Sequence, residues 1–347
     1  MTAGRRRGKL APIAVLLVLS VLTGCGGGPA GESLTFVSTG SEFQDGQRKA
    51  WQEPYTAATG VRFRNDGPVD EAKLRSMVDA GKVTWDVVDT SAAAAEQYCG
   101  KYLEKLDFSI VDRSRYPAGT VSECGVPAYF YSIIFMYDTR KYGNQPPTRI
   151  ADFFDPVKYP GRRIVPPELA TGLLEDALLA DGVPAANLYP LDVERALRKV
   201  GAIRNLTTFA KTYGQIQQSM VDGQVDLALV STARAYQTLK AGAPFRPVWD
   251  KTIVNWNDLV VPKGSGNRDA AMRFIEFSAR DAQSAKFSEL ASVQPVNEAI
   301  KPAFDAVQRQ IDAFSPEHRS SVVLGDAAWW ARNFDAVTAR FTAWLAG

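Results

Sequence analysis

Histidine is almost missing from this chain: one residue, His318, in 347. Cysteine is nearly as scarce, at three. Neither Cys99 nor Cys124 belongs to a C-x-x-C pair, so a zinc site or a Cys-His nucleophile is hard to assemble. The sequence also lacks a G-x-S-x-G elbow and a phosphate-binding P-loop. Acidic pairs such as Asp66/Asp70 and Glu175/Asp176 read as solvated helix faces or caps rather than acid–base couples. Strong charge of one sign is lacking too. The formal charge is +2, and removing residues 1–24 takes away Arg5, Arg6, Arg7 and Lys9 and no acid, which leaves −2. A nucleic-acid binder needs a basic patch or stripe, which that balance does not offer. No catalysis, metal or cofactor is expected.

What is present begins at the N-terminus. The basic cluster precedes an apolar run from Leu10 to Leu22, shorter than the roughly 20 residues of a membrane span. Charged region, apolar region and small residues compose an export signal. The ending Leu22-Thr23-Gly24-Cys25 resembles the lipobox of bacterial lipoproteins, in which the cysteine is lipidated and becomes the mature N-terminus. Residues 1–24 are thus expected to be a signal peptide and 25–33 a Gly-rich tether. The protein is expected to be extracytoplasmic and lipid-anchored to the membrane. There, Cys99 and Cys124 form an even pair in an oxidising compartment; a disulfide is the expectation and two buried free thiols the alternative.

The body reads as α/β. Residues 34–37, 61–64 and 85–88 have strand character, and helical stretches over 43–58 and 69–80 lie between them. Strand–helix alternation at this spacing predicts a parallel sheet. A second unit starts near 140. It has strands at 162–165 and 225–230, helices over 173–180 and 191–200, and a return to the first unit near 255–261. The length favours two lobes. The expected division is 34–138 with 256–310 as lobe 1, 139–255 as lobe 2, and 311–347 as a helical segment packed on both.

Ligands of open α/β sheets bind beyond the carboxyl ends of strands. Three such ends carry hydroxyls and precede helices: Thr39-Gly40-Ser41, Thr90-Ser91 and Ser231-Thr232. Free N–H groups and the positive dipole end make each a candidate ligand contact. Tyr129, Tyr131 and Tyr137 suggest ferric iron as a distant option, though an alternating strand facing the core explains the first two more simply.

From about residue 34 onward, the sequence resembles family 1 extracellular solute-binding proteins, the receptors of ABC importers, and within them the spermidine/putrescine-type branch. The stretches that carry the likeness are Trp-Gln-Glu-Pro-Tyr at 51–55, Tyr-Pro-Gly-Arg-Arg at 159–163, Tyr-Pro-Leu-Asp at 189–192, Asp-Gly-Gln-Val-Asp at 222–226 and Val-Pro-Lys-Gly at 261–264. The resemblance implies a type II periplasmic-binding-protein-like fold: two lobes, each a mostly parallel sheet flanked by helices, joined by two hinge crossovers. It also implies a monomer that delivers a small polar nitrogenous solute, polyamine-type by resemblance, to a permease and its ATPase. The chain departs from the branch where that solute is held. Ser231 stands in place of a pocket Trp, Asn255 and Asn257 in place of a Trp and an Asp, and Val293 in place of a Tyr. The acidic pair falls near Leu169 and Gly172, with Glu168 and Glu175 close by. An asparagine cannot give an ammonium its anionic partner. Trp256 and Asp258 remain candidates for an amine, and Arg234 with the strand-end hydroxyls for a carboxylate or phosphonate. A zwitterionic or anionic solute such as an amino acid derivative is therefore the alternative, with a secreted lipoprotein hydrolase more remote.

Overall fold

The computed structural model describes residues 32–347, with residues 1, 2 and 4. The expected signal peptide, Cys25 and most of the tether lie outside the described residues. Nine strands form one mixed sheet: β1 (Ser33–Val37), β2 (Arg62–Asp66), β3 (Val87–Ser91), β4 (Gly125–Asp138), β5 (Arg163–Val165), β6 (Thr207–Phe209), β7 (Leu227–Ser231), β8 (Phe245–Val260) and β9 (Val322–Leu324). Their order is β2-β1-β3-β8-β4-β7-β5-β6, with β9 on β8. Each end of the sheet is a parallel trio, β2-β1-β3 and β7-β5-β6. Between them, β4 and β8 run antiparallel to each other and to their outer neighbours.

Those two long strands decide the architecture. At 14 and 16 residues and about 3.3 Å per residue, each extends well beyond an ordinary strand. The carboxyl half of β8 pairs with β3 from Asn257 to Val260, whereas the carboxyl half of β4 pairs with β7 from Ile133 to Tyr137. The chain therefore passes between halves inside the strands, near Tyr131 and Asn255, which face each other in the ladder. The sequence places the first boundary after Asp138; in the structure residues 133–137 of β4 pair with β7 of the second half. Register irregularities at Pro127/Tyr129 and Ile133/Phe135 flank the passage, and such bulges are where paired strands bend.

Helices cover both halves. The first core centres on Phe36, Trp51, Tyr55, Phe274 and Phe287, all buried, with rings meeting edge-on or tilted. The helical segment that supplies Trp51 contains a π-helical turn, Arg48–Gln52, and stops at Gly60, whose φ of 79° suits glycine. The second core joins Phe135, Phe153, Leu174 and Leu197 with Trp329 and Trp330. These tryptophans open the last helix, Ala327–Ala346, whose N-cap Asp326 accepts from the Trp329 N–H at 2.7 Å. After its two hinge passages the chain thus returns once more to the second half. The Sγ atoms of Cys99 and Cys124 are bonded, tying the end of the helix Ala92–Tyr98 to the start of β4.

Candidate functional site

The first wall is the end of β1. Beyond Val37, Ser38 is buried and Thr39 is exposed. Gly40 has φ 81° and ψ −171°, a region other residues avoid, and Ser41 follows with φ 53°. The helix Ser41–Gln47 begins there without a side-chain cap. Gly67 supports this turn from below, where a Cβ would stand 2.6 Å from the Ser38 carbonyl oxygen. Next along the sheet, β3 ends in exposed Ser91, whose Oγ accepts from the Ala94 N–H at 3.2 Å.

Beneath this wall lies a buried carboxylate. Asp89 is 1% exposed and accepts hydrogen bonds from Gln47 Nε2 (2.5 Å), Asn257 Nδ2 (2.8 Å), Ser38 Oγ (3.1 Å) and the Tyr129 hydroxyl (3.3 Å). Burial pushes its pKa up to about 6, against the pull of those four donors. The half-buried Phe43 packs edge-on to Tyr129, ring centroids 5.2 Å apart.

The opposite wall belongs to the second half. After β5, Glu168 precedes the short turn Leu169–Thr171, and Gly172 takes φ 129° to start the helix Leu173–Ala180. Tyr213, first residue of the helix Tyr213–Val221, donates its hydroxyl to Glu168 Oε2 at 2.9 Å. Tyr131 completes the corner, its ring 6.5 Å from Tyr129. Burial raises the Glu168 pKa, and the Glu168 charge in turn adds to the upward shifts of Tyr131 and Tyr213. Ser231 ends β7 half-buried, at the start of the helix Thr232–Lys240 and without a capping bond. Arg234, in the first turn of that helix, reaches Gln217 Oε1 at 3.1 Å, one turn along from Tyr213.

Two asparagines link the walls. On β8, Asn255 donates to the Thr171 carbonyl at 3.1 Å, while Asn257 donates to Asp89. One face of one strand thus holds the second half by one residue and the first half by the next. A cavity of about 30 Å³ lies among Ser91, Ala93, Tyr131, Asn255, Trp256 and Trp330, where both halves and the hinge meet, so the indole edge of Trp256 reaches it although its side chain leaves β8 on the other face.

Strand alternation also corrects the sequence expectation. Trp256 and Asp258 point to the opposite face of β8 from Asn255 and Asn257. Trp256 packs on Phe130 with centroids 5.7 Å apart, and Asp258 is 1% exposed beside Gly125. Thr90, across the ladder from Asp258, and Thr232 are buried, so their hydroxyls are withdrawn from the cleft. Thr39, Gly40, Ser41, Ser91, Ser231, Asn255 and Asn257 stand at the strand ends and hinge, with Arg234 one turn back. Sequence reasoning does not single out Asp89, Phe43 or Tyr213 as ligand contacts, and it names Glu168 only as close to the acidic pair that the resemblance places after β5. It sends Tyr129 and Tyr131 to the core; their i, i+2 spacing on the strand that becomes the hinge was the available signal. Among the described residues no group of three or more His, Cys, Asp or Glu is placed to hold a metal ion.

Two α/β halves on a shared pair of crossing strands, with polar strand ends facing each other across the hinge, define a two-lobed solute receptor. The comparisons give its family. The family model of bacterial extracellular solute-binding proteins matches residues 50–313, and this chain belongs to that family. It is 30% identical over 325 residues to the gamma-aminobutyric acid-binding protein of Pseudomonas aeruginosa, covering 91% of each chain. It is similar to the solved Atu4243–GABA receptor, at 34% identity and a TM-score of 0.83, covering 90% of this chain and 98% of that one. An ABC transporter substrate-binding protein from Bradyrhizobium japonicum matches at 28% identity and a TM-score of 0.84, covering 90% and 99%. The chain is thus the solute-binding component of an ABC transporter, a class that pairs with a permease and an ATPase and works outside the cytoplasm. Among the described residues no helix is long and apolar enough to cross a membrane.

Proposed function

We propose that this receptor captures a small zwitterion, an ammonium and a carboxylate on one short chain, of the γ-aminobutyrate kind. The observation that carries this is the corner formed by Glu168, Tyr213 and Tyr131. A carboxylate edged by aromatic rings suits an ammonium group, through charge-assisted hydrogen bonds and cation–π attraction. The facing strand ends at Gly40–Ser41, Ser91 and Ser231 supply hydroxyls and helix N-termini, and Arg234 a guanidinium, all suited to a carboxylate. A linear polyamine asks for an anion at both ends, and β8 offers Asn257, a donor already spent on Asp89. The two relatives named for γ-aminobutyrate agree with this polarity. A lipid on Cys25 would hold the receptor near its permease and raise its local concentration there.

Calorimetric titration tests the reading. γ-Aminobutyrate and related ω-amino acids are expected to bind saturably, with putrescine and spermidine at least tenfold weaker. Glu168→Gln is expected to weaken the zwitterion at least tenfold. Tighter binding of a polyamine than of any zwitterion would overturn it.

A further inference from the structure

Two opposite charges on the second wall each rest on a neutral partner. Glu168 Oε2 accepts from the Tyr213 hydroxyl at 2.9 Å, and Arg234 Nη1 donates to Gln217 Oε1 at 3.1 Å. Among the described residues neither charge enters an ion pair, with the other or with a third residue. Arginines elsewhere in this half behave differently: Arg140 is bonded to Asp138, Arg195 is bonded to Asp181, and Arg162 lies 3.6 Å from Asp226. Tyr213 and Gln217 are one turn apart in the helix Tyr213–Val221, so both side chains stand on one face of it. The helix Thr232–Lys240, which carries Arg234, packs beside it. One helix thus holds the anion by its first residue and the cation one turn later.

The chemistry of the second contact is specific. An arginine side chain has donors only, so Gln217 turns its amide oxygen toward it. The contact uses Nη1. Nε and Nη2, an edge that forks onto a carboxylate, donate to no protein atom among the described residues. A carboxylate in place of the amide, nearly identical in size, would close a salt bridge across this contact and cancel the charge. We propose that Gln217 is a positioning residue for the cleft solute: its neutral amide holds Arg234 in place and leaves the guanidinium charge open to a carboxylate on the solute. This role, which rests on the zwitterion reading of the cleft, adds the residue that decides which charge the far end of the solute carries. An uncancelled guanidinium in a partly desolvated wall attracts a carboxylate and repels an ammonium, whereas one paired with a carboxylate does neither strongly.

γ-Aminobutyrate and putrescine share one carbon skeleton and differ in the charge at one end, which makes them the probes. Both are titrated by calorimetry into the wild-type receptor, Gln217→Glu and Gln217→Met. In Gln217→Glu the preference for γ-aminobutyrate over putrescine is expected to fall at least tenfold, because the zwitterion weakens and the diamine does not. Gln217→Met removes the hydrogen bond and adds no charge. It is expected to weaken γ-aminobutyrate about threefold, and by less than about twofold once Arg234→Gln is already present. Gln217 is half-buried on the helix surface, and this second variant carries the test if the added charge disturbs folding. A side chain that only supports helix packing would weaken both solutes alike. An unmoved preference in Gln217→Glu, or an equal loss from Gln217→Met with and without Arg234, would overturn the role of Gln217 while γ-aminobutyrate still binds the wild type. A wild type that binds no ω-amino acid would instead overturn the reading of the cleft, and this role with it.

Discussion

Asp89 is the residue on which the cleft wall rests. Its four donors come from the turn after β1, the first helix, β4 and β8, so one carboxylate aligns four elements. Such a group is hydrogen-bonded as an anion yet buried like a neutral acid, and burial wins: its pKa is raised from 3.8 to about 6. A folded-state pKa above the unfolded value means that protonation stabilises the fold. That contribution is full below about pH 4 and fades as pH rises through about 6. In Asp89→Asn this dependence disappears. The stability gap between wild type and variant is therefore expected to move against the wild type by about 2 kcal/mol between pH 4.5 and 7. Urea unfolding of both proteins across that range measures it, and parallel pH profiles would refute the assignment. The β8 run Asn255-Trp256-Asn257-Asp258 shows why sequence alone misjudges this scale. Four side chains with ligand chemistry stand in a row, and only the ladder register reveals that two face the cleft and two face away.

At the scale of elements, the Tyr-Pro-Gly-Arg-Arg stretch has a structural explanation. Arg163 is fully buried at the start of β5, and its guanidinium is consumed by carbonyls: Nε by Phe153 (2.7 Å), Nη1 by Gly161 (2.6 Å) and Nη2 by Tyr159 (2.7 Å). It clamps the loop before β5 onto the strand, and β5 in turn aims Glu168 into the cleft. Lysine keeps the charge but cannot reach three carbonyls with a planar fork. Arg163→Lys is expected to destabilise by about 2–4 kcal/mol through unpaired buried carbonyls and a poorly solvated ammonium. Chemical denaturation checks it, and a loss under 1 kcal/mol would show that water takes over the clamp. Elements of this kind were legible in advance. Local periodicity and turn residues mark β1, the helix Leu173–Ala180 and the strand-to-helix ends at Ser91 and Ser231. The lengths of β4 and β8 were not legible, because nothing local distinguishes a strand that serves one half of a sheet from one that serves both. Glu168 was legible only as a neighbour of the acidic pair, and its pairing with Tyr213 escaped for a related reason. They lie 45 residues apart and meet only because β5 and β6 are parallel neighbours.

For the whole molecule, the question is how two halves on a shared ribbon respond to a solute. Closure is expected to concentrate at Tyr131 and Asn255, where β4 and β8 pass between halves and where flanking register breaks ease bending. The last helix is expected to limit the range of that motion. Its Trp330 donates to Glu175 Oε1 at 2.7 Å, and the Leu345 carbonyl receives Arg204 Nη2 at 2.6 Å, so it is fixed to the second half while its other face packs on the helix Ala92–Tyr98 of the first. A solute that touches both walls prefers the closed arrangement and draws the population toward it. It also stabilises the fold by mass action, about 2.7 kcal/mol at a free concentration one hundred times Kd. For a body of this size that corresponds to a rise in Tm of about 4 °C. The cleft solute is expected to produce that rise together with a smaller radius of gyration in solution scattering. Ser231→Trp places a bulky ring at the end of β7, where it meets the facing wall on closure. That variant is expected to lose both responses while keeping its ligand-free Tm. A rise in Tm with no compaction would show that the solute binds one half alone, and the hinge would then have no part in capture.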